Sequence, residues 1–203
     1  MRALNGYSQI LQEEYMDQID VEGKAYFQQI QKASSHMGRL LEGLLTFLTI
    51  SRTEIMIDEV DLFKLSHQIF SEISKVQPER EVVFTCSPNL SIRADLKLIS
   101  IALENLLSNA WKFTKHKKTA HIELGRFINE GKTIYTIRDD GIGFENIYAE
   151  KVFGFFVRLH RPQDYEGIGI GLALVRRVMD RHGGKVWAES AVNQGTTVYF
   201  TVG

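Results

Sequence analysis

The sequence predicts an α+β protein: an N-terminal helical hairpin of the kind that dimerises into a four-helix bundle, followed by an α/β sandwich domain with a mixed sheet. Three observations carry this expectation. Ile30, Met37 and Leu44 repeat every seven positions, interleaved with Ala33, Leu40/Leu41 and Phe47/Leu48, which is a coiled-coil-like stripe. Beyond residue 53, short β-rich runs and helical stretches follow one another without the strict βαβ order of a dinucleotide fold. Glycines gather in two clusters, Asp139–Gly143 and Gly167–Gly171, where the backbone turns tightly and allows a ligand to approach. The division expected is a hairpin over 1–52 and a sandwich domain over 53–203.

The elements follow in order. Leu4, Tyr7, Leu11 and Tyr15 are spaced as on a helix, and the polar stretch near Asp17–Gly23 joins it to the second, striped helix. Two helices leave apolar surface uncovered, so they either pair with a second copy or pack on the rest of the chain. Thr53–Asp61 reads as a linker ending in a strand at Glu54–Val60. Leu62–Gln77 reads as a helix with Leu65, Ile69 and Ile73 on one face. Strands are expected at Glu81–Cys86 and Leu90–Ala94. Asp95 is placed to N-cap a helix over Leu96–Phe113. Thr119–Asn129 and Lys132–Asp139 form a hairpin around Glu130-Gly131. Residues 144–166, which include Arg161-Pro162, have no clear period and read mostly as loop. A helix over Leu172–His182 ends at Gly183-Gly184, and strands at Lys185–Ser190 and Thr196–Val202 close the domain.

Composition limits the function. A chain of 203 residues has room for one or two cores. A net charge of −1 argues against nucleic acid or an anionic membrane surface as the main partner. No apolar run is long enough to span a bilayer, and the first residues lack the apolar core of a signal peptide. Cys86 is the only cysteine, which excludes an internal disulfide and cysteine-rich metal sites. It reads as a small buried apolar residue. A cytoplasmic setting without direct membrane contact is expected.

The chemistry-bearing residues lie in three places. Asn105 and Asn109, four apart, share one face of the predicted Leu96–Phe113 helix beside Leu106, Leu107 and Ala110. Amides beside a buried face must be hydrogen-bonded or meet a ligand. Their carboxamide oxygens suit Mg²⁺, and Lys112 is within reach of a phosphate. Asp139 ends a strand before Gly141 and Gly143, where a carboxylate would accept a hydrogen bond from an exocyclic amine such as adenine's. Gly167, Gly169 and Gly171 precede Leu172 and a helix start, whose free N–H groups attract phosphate. Each motif alone fits an ordinary turn or a wetted helix face as well. The three together, in this order, make ATP the leading ligand.

These pieces resemble the ATP-binding catalytic domain of sensor histidine kinases, in a wider group with gyrase, the MutL mismatch-repair ATPases and the heat-shock chaperone ATPases. Asn105-Leu-Leu-Ser-Asn-Ala-Trp-Lys-Phe-Thr114 resembles the asparagine box, and Asp139-Asp-Gly-Ile-Gly143 the first glycine box. Val152-Phe-Gly-Phe-Phe-Val-Arg-Leu159 resembles the phenylalanine box, which favours a histidine kinase over gyrase-like relatives. Gly167-Ile-Gly-Ile-Gly-Leu172 resembles the second glycine box and Gly195-Thr196 the closing one. Arg158-Leu-His-Arg-Pro and Trp187-Ala-Glu-Ser190 look closest to the phytochrome-like branch. The resemblance implies that Asp139 binds the adenine amine, Asn109 holds Mg²⁺, and Asn105 sits by the phosphates. It implies that Lys112 and Arg158 stabilise phosphate charge and that Phe113 packs against the base. Gly167, Gly169, Gly171, Leu172 and Thr196 would line the nucleotide, with 144–166 as a lid. It further implies a homodimer through 1–52, an upstream sensor domain and a response-regulator receiver domain as partner.

One departure matters. The family's phosphoacceptor histidine lies in the first helix, and Arg2-Ala-Leu-Asn-Gly-Tyr-Ser-Gln9 looks like the stretch just after that box. No histidine precedes His36, which lies on the second helix, does not match the motif and is expected to face solvent. His67, His116, His121, His160 and His182 read as structural or incidental. A start inside the first helix is the expected explanation, with natural degeneracy the alternative; either way this chain should not autophosphorylate at the usual site. Phe155, where many relatives carry proline, is a smaller departure. The rivals are a non-catalytic dimeric scaffold, a gyrase- or MutL-type ATPase and an anti-sigma-type serine kinase. Asn105, where the hydrolases carry a glutamate base, counts against the second; the helical stripe of residues 30–48 counts against the third.

Overall fold

The computed structural model describes residues 6–7, 10–15, 18–161, 164–165 and 167–203. Leu4 and Pro162, both used above, lie outside them. The chain divides into two compact units, Met1–Thr46 and Phe47–Gly203. In the N-terminal part, Leu11–Tyr15 forms a π-helical turn. The striped helix is α1, Val21–Arg52. Its seven-residue positions are open to solvent: Ile30 is 56% exposed, Met37 49% and Leu44 47%. His36 is exposed as well. No helix among the described residues is long and apolar enough to cross a membrane.

The second unit is the expected sandwich. Two short strands, β1 (Asp58–Asp61) and β3 (Ser91–Ala94), pair antiparallel with Asp58 opposite Ala94. Pairing stops at four residues because β3 is no longer, so Glu54–Ile57 stays outside the strand expected there. The main sheet holds β2 (Val82–Cys86), β4 (Ala120–Asn129), β5 (Lys132–Asp139), β6 (Val186–Ala191) and β7 (Gly195–Phe200). Their order is β2-β4-β5-β7-β6. Only β2–β4 is parallel, so the sheet is mixed. The hairpin turns at Glu130-Gly131, both at positive φ.

Three helices bury their apolar faces in this unit: α2 (Leu62–Ser74), α3 (Leu96–Phe113) and α4 (Gly171–Arg181). α2 stops three residues earlier than its apolar pattern, because Pro78 biases Gln77 away from helix. On α3, Ile99, Ala102, Leu103, Leu106, Leu107 and Ala110 are buried at 3.6-residue spacing. Ile122, Leu124, Ile137 and Phe200 of the sheet and Val175, Val178 and Met179 of α4 are buried as well. The Asp95 side chain accepts the Leu98 N–H at 3.0 Å as N-cap of α3 and the Met56 N–H at 3.0 Å. His182, at the end of α4, accepts the Asp95 N–H on Nε2 at 2.9 Å and donates from Nδ1 to the Val178 carbonyl at 2.7 Å. Residues 144–166 are mostly irregular but contain two short 3₁₀ turns, Asn146–Tyr148 and Lys151–Phe153.

Candidate nucleotide-binding site

A cavity of about 280 Å³ opens between α3, the ends of β5 and β7, and the segment leading into α4. Asn105, Asn109, Lys112 and Phe113 line it from α3, Asp139 and Gly143 from the end of β5, and Thr196 from β7. Arg158 and then Gly167, Gly169, Gly171 and Leu172 complete it. Thus eleven of the twelve residues expected to meet the nucleotide, and Arg158 with them, converge although they are scattered over ninety positions of sequence. Gly141 does not line the cavity. Its backbone lies against the Phe113 carbonyl, 2.6 Å from where a Cβ would sit, and its N–H donates to Asp139 Oδ1 at 2.8 Å. It holds the carboxylate instead of facing a ligand.

The amides sit at the seam between the buried and exposed faces of α3. Asn105 Nδ2 donates to the Ile101 carbonyl at 2.8 Å. Its Oδ1 faces Gly171, where a Cβ would come within 2.5 Å of it, so any other residue there would push the Asn105 carboxamide aside. Asn109 Oδ1 accepts from Lys112 Nζ at 3.1 Å. Burial, and then the nearby Arg158 guanidinium, push the Lys112 ammonium down to about 8. A polyanion beside it would favour its charged form.

Asp139 is 8% exposed at the inner end of the site. Desolvation pushes its carboxyl up to about 6, against hydrogen bonds from the Gly141 and Thr196 backbones that favour the charged form. The neighbouring turn is held by the Ile142 N–H, which donates to the Phe113 carbonyl at 3.2 Å.

The segment between β5 and α4 is pinned at both ends of its crossing. The Phe156 N–H donates to the Gly169 carbonyl at 2.8 Å. Phe156 has φ 61° and Gly169 φ 72°; the first is a rare conformation for an aromatic residue, and the second packs too tightly against Val157 for any Cβ. Phe155 stacks edge-on against Phe47 with ring centroids 4.7 Å apart.

Among the lining residues that sequence reasoning did not assign to the site are two rings, His160 and Tyr165. His160 packs 5.3 Å from the Phe113 ring and Tyr165 packs 5.2 Å from it. Both lie in the stretch without periodicity, where nothing in sequence marks a side chain as inward. Burial and the Lys112 ammonium hold the His160 imidazole below its usual range.

The arrangement fits a nucleoside triphosphate. It offers a buried carboxylate acceptor, an aromatic wall, two cations and two carboxamide oxygens in one cavity. Among the described residues no cluster of His, Cys, Asp or Glu is built to hold a metal. A carboxamide oxygen such as Asn109 Oδ1 is a hard donor of the kind that suits Mg²⁺, which takes most of its ligands from phosphate and water.

Comparison with known proteins agrees. Residues 94–203 match the family described as Histidine kinase-, DNA gyrase B-, and HSP90-like ATPase. Cyanobacterial phytochrome B of Nostoc sp. (strain PCC 7120) is 32% identical over 206 residues, covering 100% of this chain and 27% of that protein. Methanogenesis regulatory histidine kinase FilI of Methanothrix harundinacea is 33% identical, over 85% of this chain and 19% of its own length. The chain thus spans about a quarter or less of these relatives. Full-length ShkA, solved in complex with AMPPNP, shares the fold at a TM-score of 0.70 and 24% identity, over 99% of this chain and 43% of its own. Histidine kinase ThkA, solved with response regulator TrrA, does so at 0.68 and 21%, over 98% and 56%. The chain belongs to the histidine kinase-, DNA gyrase B- and HSP90-like ATPases, as an ATPase core of the histidine kinase kind.

Proposed function

We propose that this chain is the catalytic core of a two-component sensor histidine kinase, which transfers the γ-phosphate of ATP to a histidine outside the chain. The observation that carries the reading is one cavity in which the Asp139 carboxylate, the paired amides Asn105 and Asn109, and the cations Lys112 and Arg158 converge. Asp139 accepts the adenine amine and Phe113 packs on the base. Asn105, Lys112 and Arg158 surround the phosphates. Asn109 is the ligand for Mg²⁺, which when bound neutralises phosphate oxygens. In transfer, the bond from the γ-phosphorus to the bridging oxygen breaks and a bond to the imidazole nitrogen forms; the nitrogen's proton leaves and ADP departs. Lys112 and Arg158 stabilise the charge that grows on the bridging and equatorial oxygens. Gly167, Gly169, Gly171, Leu172 and Thr196 form the wall along the nucleotide, and residues 144–166 act as the lid.

The exposed stripe of α1 supports a homodimer through residues 1–52, with 53–203 as the catalytic domain. ThkA's complex with TrrA supports a receiver domain as the partner that takes the phosphate onto an aspartate. A sensor domain, a cytoplasmic location and no nucleic-acid partner complete the reading.

Calorimetric titration with Mg-ATP tests it, with Asp139→Asn beside the unmutated chain. Micromolar to millimolar binding that is lost in the variant is expected. Supplying a relative's histidine-bearing hairpin should then yield an acid-labile phosphoprotein. No binding by the unmutated chain would move the non-catalytic scaffold to first place.

A further inference from the structure

Tyr165 combines features that an ordinary loop residue lacks. It is 7% exposed although it lies in irregular backbone. Its ring packs against Phe113 at 5.2 Å, His160 at 5.5 Å and His116 at 5.8 Å. Three hydrogen bonds anchor its neighbourhood. Arg158 Nη2 donates to the Tyr165 carbonyl at 2.8 Å, the Tyr165 N–H donates to the Arg161 carbonyl at 3.2 Å, and Lys115 Nζ donates to the Asp164 carbonyl. The Lys115 ammonium also lies over the Tyr165 ring, 4.3 Å from its centroid. Yet the buried hydroxyl has no hydrogen-bond partner among the described residues, while Tyr165 lines the cavity.

A buried phenol without a partner lowers stability relative to phenylalanine, which would fill the same aromatic box. The ring explains the packing; the hydroxyl is left without a role among the described residues. We propose that Tyr165 is a nucleotide-contacting residue, whose hydroxyl hydrogen-bonds a polar group on the nucleoside half of bound ATP while its ring walls in the base. This rests on the ATP reading above. The nucleoside half is favoured over the phosphates because Tyr165 shares Phe113, the base-packing ring. Lys112 and Arg158 already supply cations for the phosphates. Arg158 then serves both halves, since the guanidinium that would meet phosphate also fixes the Tyr165 backbone.

The test uses the full 203-residue chain and Tyr165→Phe. Calorimetry is run with Mg-ATP and Mg-2′-deoxy-ATP, and thermal unfolding without nucleotide. The variant should bind Mg-ATP about fivefold more weakly, as for one lost hydrogen bond. Its ligand-free Tm should be unchanged or higher by about 2 °C. A loss confined to Mg-ATP identifies the ribose 2′-hydroxyl as the partner; an equal loss with both nucleotides identifies the base or the 3′-hydroxyl. Unchanged affinity, or a ligand-free Tm lowered by several degrees, would overturn the proposal while leaving the ATP reading intact. No binding by the unmutated chain would overturn both.

Discussion

Two titratable side chains set the site's dependence on pH. Asp139 is raised to about 6 by desolvation, and it must be ionised to accept an amine. Lys112 is lowered to about 8 by burial, and it must be charged to hold phosphate. Mg-ATP affinity should therefore be bell-shaped, weakening below about pH 6 and above about pH 8, which titration from pH 5 to 9 would show. The stability of the empty protein has its own signature. The folded carboxyl lies above its unfolded range, so ionised Asp139 destabilises the fold. The effect is absent below about pH 4 and complete above about pH 6, at a cost on the order of 3 kcal/mol. Asp139→Asn keeps an oxygen for the Gly141 N–H, so this variant should raise the ligand-free Tm at pH 7.5 but not at pH 4, while binding falls at least about tenfold. Lys112→Met should likewise raise the ligand-free Tm at neutral pH and weaken Mg-ATP binding, because a buried ammonium costs stability until phosphate pairs with it.

Among the elements, the terminal caps hold the site's frame. Asp95 serves the first turn of α3 and the Met56 N–H on its two oxygens, and its own N–H is taken by His182 from the end of α4. Asp95→Ala should cost about 2 kcal/mol, more than an isolated N-cap, because two backbone donors, one of them buried, lose their acceptor. Denaturant unfolding measures it. At the same end of α4, Arg181 donates to the Ile50 and Ser51 carbonyls at 2.7 Å each and to the Thr53 carbonyl, satisfying the last turn of α1. Arg177 Nε adds a bond to Ser51 Oγ at 3.0 Å. The residues Asp95, Gly183 and Gly184 announced these boundaries in sequence through cap chemistry. Arg181 did not, since its partners lie 128 to 131 positions away and no local pattern marks them.

For the whole molecule, the apolar stripe of α1 is the longest run of exposed apolar side chains on one helix among the described residues. Leu41 is 48% exposed and Leu45 62%, beside Ile30, Met37 and Leu44. Exposed apolar side chains at this spacing are what a helical bundle between two copies buries. Leu41→Glu combined with Leu45→Glu should convert a dimer to a monomer in sedimentation velocity. Mg-ATP affinity should stay within about twofold, since none of these residues lines the cavity.

Local chemistry was enough to specify the helices from Val21 onward, the strand sequence and the hairpin turn, because spacing, caps and glycine clusters act over a few residues. The Leu96–Phe113 helix and its Asp95 cap are present as the pattern requires. Tertiary structure alone decided which polar residues face one another. It turned Gly141 away from the cavity to hold Asp139 and brought His160 and Tyr165 inward from a stretch without periodicity. It also set the shifted carboxyl of Asp139 and the ammonium of Lys112, because desolvation and long-range charge depend on what the whole fold places around a group.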